Sequence, residues 1–145
     1  FSELERESVV KTSGSKGLQL YVPLNTKVTY EETRPWAKTI AARLEAETPD
    51  DIVIKPAKDA RRGRVFIDWS QNNPSKTTVC VYSLRAKERP TVSTPVTWNE
   101  LIAALDAGDP EQLVFTHDDV LKRVEQDGDL FEPVRTLKQR LPKLD

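Results

Sequence analysis

Residues 12–24 read TSGSKGLQLYVPL, and residues 61–73 read RRGRVFIDWSQNN. In the first stretch a small basic loop runs straight into a strand. Leu18, Leu20 and Val22 alternate with Gln19 and Tyr21, and Pro23 ends the run. In the second, a basic turn leads into a strand in which Val65, Ile67 and Trp69 alternate with Phe66 and Asp68. These strands, with the small helices that follow them later in the chain, predict an α+β fold. They also suggest a phosphate grip and one carboxylate facing a common cleft.

Between these two stretches a helix is expected from about Arg34, with Thr33 as N-cap and Pro35 in its first turn. Its apolar stripe is Trp36, Ala37, Ile40, Ala41 and Leu44. Residues 52–54 read as a short strand. Residues 77–82 read as a third clear one, set off by the turn-like Asn72-Asn73-Pro74. After Pro95, Thr97-Trp98-Asn99-Glu100 and Thr116-His117-Asp118-Asp119 resemble capping boxes, each opening a short helix that Gly108 or Gly128 stops. Val134, Leu137 and Leu141 predict a last helix. The order is strands early, small helices late, with Trp36 and Trp98 in the core.

A length of 145 residues suits one compact domain, residues 1–145, able to bury a core without staples. With 37% hydrophobic and 31% charged residues, the composition is that of a globular protein. No apolar run reaches the length of a membrane span, and no signal peptide opens the chain. The single cysteine, Cys80, excludes an internal disulfide and a cysteine-rich zinc site, which predicts a reducing cytoplasmic setting.

The net charge of -1 hides a division. Residues 11–89 hold 15 Lys and Arg against 9 Asp and Glu, whereas residues 99–132 hold 10 acids against 2 bases. A basic part beside an acidic one fits a polyanionic ligand held on one face, and equally fits ordinary solvated faces.

Ser13-Gly14-Ser15-Lys16-Gly17 gathers two glycines, two hydroxyls and an ammonium within five residues. Glycines let backbone N–H groups approach an anion, and lysine supplies a point charge. The glycine spacing and the strand that follows rule out a Walker A loop, and a plain turn is the competing reading. Asp68, a lone carboxylate in an apolar strand, calls for a metal or a partner cation, either Arg64 or a basic residue on a neighbouring strand. Residues 55–64 add five basic side chains, and Arg85 and Lys87 follow the third strand. His117 is read as exposed and without a role. No nucleophile elbow, zinc spacing or dinucleotide fingerprint occurs.

Three stretches in order, TSGSKGLQLYVPL, GRVFIDWSQN and TTVCVYSLRAKERPTVSTPVTWNEL, with the acidic FTHDDVLKRVEQDGDLFE after them, resemble the polymerase domain of bacterial DNA ligase D. That domain belongs to the archaeo-eukaryotic primase superfamily. The resemblance covers residues from about 10 to about 132. It implies a primase-like mixed or antiparallel sheet with flanking helices and a helical C-terminal tail. It implies a primase-polymerase that adds nucleotides to DNA ends in non-homologous end joining, using Mn2+ or Mg2+.

By the same resemblance, Ser13 and Lys16 of the second motif would hold the triphosphate, and Asp68 of the third would be a catalytic metal ligand. Gln71, Arg61 and Arg85 would contact the incoming nucleotide and its phosphates. Gln19 stands where the family has a phosphate-contacting histidine. Glutamine keeps a donor but no charge. Expected partners are NTP or dNTP, DNA ends, Ku, and a ligase domain or separate ligase, with a homodimer or a complementing N-terminal half. The expected location is the bacterial cytoplasm, at the nucleoid. The family's first motif, an Asp-x-Asp pair, is missing, so the chain reads as a C-terminal portion with an incomplete metal set. A non-catalytic module that binds nucleotide or DNA ends is the competing reading, favoured by Gln19.

Overall fold

A computed structural model describes residues 6–144. The elements run β1 (Val9–Thr12), β2 (Leu18–Tyr21), α1 (Tyr30–Glu47), β3 (Ile52–Val53), β4 (Val65–Phe66), β5 (Leu84–Arg85), β6 (Thr91–Val92), β7 (Pro95–Val96), α2 (Trp98–Ala107), α3 (His117–Asp127) and the single turn α4 (Pro133–Thr136). The chain divides into two compact units. One holds the residues up to Thr26 together with Val79–Arg140, and the other holds Lys27–Thr78 with the residues from Leu141.

In the first unit β1 is the middle strand of an antiparallel sheet ordered β2-β1-β7. Val10 pairs with Leu20 and with Val96, and Lys11 pairs with Gln19 and with Pro95. Val9–Thr12 is a strand for which the sequence raised no expectation, and it organises the sheet. The β5–β6 hairpin sets Arg85 opposite Thr91. Val10, Val92, Val96, Phe115 and Val120 form the core, with Tyr82, Leu101 and Leu113 packed on it. Fully burying such side chains stabilises by about 1.5–3 kcal/mol each.

Helices α2 and α3 begin at the two predicted capping boxes. Thr97 Oγ1 accepts from the Glu100 amide at 3.2 Å, and Thr116 Oγ1 accepts from that of Asp119 at 3.4 Å. Gly108 and Gly128 end them. The Arg123 guanidinium ties α3 to α2 by donating to both oxygens of Glu100, at 2.5 and 3.1 Å. The last helix shrinks to α4, because Leu137 already has extended backbone.

In the second unit α1 packs on β3 and on a 3-10 turn at Trp69–Gln71, with Ala41 and Val53 buried. Strands β3 and β4 pair in parallel, Ile52 with Val65 and Val53 with Phe66. Helix α1 starts at Tyr30, four residues before the expected start at Arg34. The Thr29 amide donates to Glu32 Oε2 at 2.8 Å, a capping box that starts the helix upstream and leaves Pro35 inside it.

Three further expectations fail for stated reasons. The strand at residue 65 stops at Phe66, because Asp68 caps the 3-10 turn that follows. Residues 77–82 join no sheet among the described residues. Their β-branched composition suits a strand, but the chain turns at 81–82, where Tyr82 has φ 63°. Trp98 is 46% exposed, its Nε1 donating to the Ser8 carbonyl at 3.2 Å. Trp36 is half-buried and donates to the Pro142 carbonyl at 2.9 Å. Hairpin and parallel pairs flanked by helices make the fold α+β, as expected.

Candidate phosphate-binding hairpin and carboxylate turn

The loop Ser13–Gly17 joins β1 to β2 and is held from within. The Ser13 amide donates to the Gly17 carbonyl at 2.8 Å, and Ser13 Oγ accepts from the amides of Ser15 and Gly17, both at 3.2 Å. The hydroxyl proton of Ser13 therefore remains to be donated outward. Thr91 Oγ1 clamps the loop by donating to the Gly14 carbonyl at 2.6 Å. Gly14 has φ +66°. A Cβ there would lie 2.7 Å from Arg85 Cγ and 2.9 Å from both Ser93 N and the Val92 carbonyl carbon. Only glycine fits, and its bareness lets the Arg85 stem lie against the loop.

The Lys16 ammonium is exposed and has no protein partner among the described residues; the half-buried Arg85 guanidinium likewise has none. The unit thus carries cations held near a kinked loop and not neutralised by carboxylates. Such groups suit an anion.

The strand that leads into the loop carries one more polar side chain, outside the set of residues expected from the sequence. Lys11 is fully buried. Its Nζ donates to Gln19 Oε1, to Ser93 Oγ at 2.6 Å and to the Val79 carbonyl at 3.0 Å. The signal that could have found it is alternation: once VVKT is read as a strand, Lys11 faces opposite Val10, beside Gln19. Burial pushes the ammonium down to about 8, the nearby Cys80 working against that shift and the Arg85 charge adding to it. The unfolded chain holds this proton up to the ordinary lysine value, whereas the folded one releases it from about 8. Between those values the unfolded state binds more protons, so stability rises with pH across this window, by on the order of 1 kcal/mol. Thermal melts in buffers from pH 7 to 10 check this; a flat or falling midpoint above pH 8 contradicts it.

In the second unit Asp68 stands at the start of the Trp69–Gln71 turn. One carboxylate oxygen accepts from the Ser70 amide at 3.2 Å and the Ser70 hydroxyl at 2.5 Å; the other accepts from Gln71 Nε2 at 2.9 Å. Its partners are neutral donors, and no ion pair with Arg64 forms. Desolvation works to raise this carboxyl, but the bonds from Ser70 and Gln71 and the charge of Lys76 outweigh it and hold it below the usual range. Asp68 is thus ionised at neutral pH. Arg61 stacks 3.9 Å above the centre of the Phe66 ring, with its Nε buried and unpartnered.

Among the described residues no group of three or more His, Cys, Asp or Glu comes together to hold a metal. The residues present do not fit a two-ion site, which needs several carboxylates. Glu3 and Glu5 lie outside the described residues. His117 is exposed and pairs only with Asp118, at 3.2 Å. No helix among the described residues is long and apolar enough to cross a membrane.

Ser13, Lys16, Gln19 and Arg85 thus fall together in one unit, and Asp68, Gln71 and Arg61 in the other. Unpaired cations around a glycine-kinked hairpin are what a polyanion-binding protein presents. The chain belongs to the LigD primase-polymerase family: residues 1–131 match the model described as "LigD, primase-polymerase domain". It is 41% identical over 133 residues to the multifunctional non-homologous end joining protein LigD of Mycolicibacterium smegmatis, covering 92% of this chain and 17% of that protein. It is 46% identical over 121 residues to the corresponding DNA repair protein of Mycobacterium tuberculosis, covering 83% of this chain and 15% of that one. The polymerase domain of M. tuberculosis ligase D, solved in complex with DNA, superposes with a TM-score of 0.84 at 40% identity. The match covers 95% of this chain and 46% of the solved one. The chain therefore spans about half of that solved domain and a small part of the full-length relatives.

Proposed function

We propose that this chain supplies the nucleotide-gripping part of a primase-polymerase that adds nucleotides to DNA ends in non-homologous end joining. Ser13, Lys16, Gln19 and Arg85 hold the triphosphate. Gln71 and Arg61 contact the incoming nucleotide and its phosphates. Asp68 serves as a catalytic carboxylate and contributes one ligand to Mn2+ or Mg2+. The observation that carries this reading is the hairpin loop. Its shape keeps a serine hydroxyl proton, the Lys16 ammonium and the Arg85 guanidinium uncommitted to any other side chain of the described residues. Family membership favours it over a module that binds without catalysis. NTP or dNTP, DNA ends, Ku and a ligase domain or separate ligase are the partners this role requires. A homodimer or a complementing N-terminal half belongs to the same proposal. Its setting is the bacterial cytoplasm, at the nucleoid.

Calorimetry with ATP and AMP tests the grip. The wild-type chain should prefer ATP, and Lys16→Ala and Arg85→Ala should each weaken ATP about tenfold, or about 1.4 kcal/mol, with little effect on AMP. Equal affinity for the two nucleotides would sink the reading. In the same titrations Asp68→Asn should keep ATP affinity in the absence of metal and remove any enhancement by manganese. An unchanged manganese response takes Asp68 out of metal handling.

A further inference from the structure

Lys11 is the one buried cation of the first unit's sheet, and nothing in the proposed grip uses it directly. Its three polar contacts are Gln19 Oε1, Ser93 Oγ and the Val79 carbonyl. An ammonium has three donors and no acceptor, so all three are committed. Two of the partners lie on other segments of the unit: Ser93 follows β6, and Ser93 Oγ in turn donates to the Thr12 carbonyl at 2.8 Å. The ammonium is therefore fixed by its frame, with Gln19 the adaptable partner.

We propose that Lys11 is a positioning residue, which holds the Gln19 carboxamide by its oxygen and so presents the Nε2 donor to a bound phosphate. The orientation follows from chemistry. Only the oxygen of a carboxamide can accept from an ammonium, so the N–H2 end must face away. Gln19 Nε2 has no protein partner among the described residues, and Gln19 itself is half-exposed. Gln19 lies on β2 just past the Ser13–Gly17 loop, so its free donor belongs to the same hairpin as Lys16. A histidine at position 19 would behave alike, one ring nitrogen accepting from Lys11 and the other donating outward. A glutamate would pair with Lys11 yet offer the phosphate only an acceptor. The inference rests on the nucleotide reading above and adds to it a reason why position 19 acts as a donor.

The experiment is a double-mutant cycle on the affinity for inorganic tripolyphosphate, read by calorimetry. Lys11→Met and Gln19→Leu should each weaken binding about tenfold, and the double variant should bind no worse than either alone, because Lys11 acts only through Gln19. Gln19→His should stay within about threefold of wild type. Independent losses that multiply to about a hundredfold, or unchanged affinity in a folded Lys11→Met protein, would overturn the positioning role alone. Should Lys11→Met not fold, Gln19→Glu decides. It retains the Lys11 contact at a half-exposed position, and retained affinity overturns the proposal while a loss of tenfold or more, with Gln19→His still binding, upholds it. Absence of tripolyphosphate binding by the wild-type chain would overturn the nucleotide reading itself, and this inference with it.

Discussion

Gly14→Val is expected to destabilise the chain by about 2–5 kcal/mol and to abolish the ATP preference in whatever remains folded. Two costs add. At φ +66° a residue with a Cβ sits in the left-handed region, at about 1–2 kcal/mol, and β-branching makes valine a poor occupant of it. Overpacking contributes roughly 1–3 kcal/mol more. Of the atoms that the new Cβ would meet, Arg85 Cγ can swing away, but Ser93 N and the Val92 carbonyl carbon are backbone and cannot. Relief must come from the loop, which loses the Thr91 clamp on the Gly14 carbonyl and shifts together with Ser13 and Lys16. Denaturant melts measure the first effect and calorimetry the second. A variant as stable as wild type with ATP preference intact would show that the loop does not need this conformation.

Phe115→Ala should cost about 3–5 kcal/mol while leaving ATP affinity of the folded protein within about threefold. Phe115 is a member of the core formed with Val10, Val92, Val96 and Val120. Its ring also lies 4.8 Å beneath the Arg123 guanidinium, which reaches Glu100. Truncation opens a cavity and loosens the side chain that ties α3 to α2. The backbone bond from the Val92 amide to the Phe115 carbonyl, at 2.9 Å, needs no side chain and keeps β6 in place. The pair of variants separates scaffold from site: Gly14→Val disturbs both, and Phe115→Ala only the frame. A collapse of ATP affinity in folded Phe115→Ala protein would mean that core and loop are one cooperative element.

Much of the site was legible because its residue types are costly to place without reason. A Gly-Ser-Lys-Gly loop running into an alternating strand is legible, since Pro23 and the alternation of residues 18–22 are local signals; that Val9–Thr12 pairs with this strand to make a hairpin is not. The capping boxes at Thr97 and Thr116 are local too, and both open helices at the expected residues. Asp68 reads as a carboxylate that needs partners, and within the protein those partners are neutral donors and not Arg64. Alternation pointed to a strand and Arg64, whereas Ser70 and Gln71 lie close enough in sequence to turn the chain and satisfy the carboxylate themselves. At α1 the stripe was sound, yet Thr29 with Glu32 outweighed the proline that had suggested a later start.

The strand at residues 18–21, the basic loop before it, the two capped helices and the family to which they belong are all readable from the sequence alone. These depend on dihedral preferences, spacing and residue chemistry within a few positions of one another. The bareness of Gly14, the Arg85 stem against the loop, and the burial of Lys11 with its bond to Gln19 come from the three-dimensional packing. Each of those depends on residues some 70 to 80 positions apart in the chain, such as Lys11 with Val79 and Ser93. The cost of burying an ammonium or adding a methyl group is set by what the fold brings alongside.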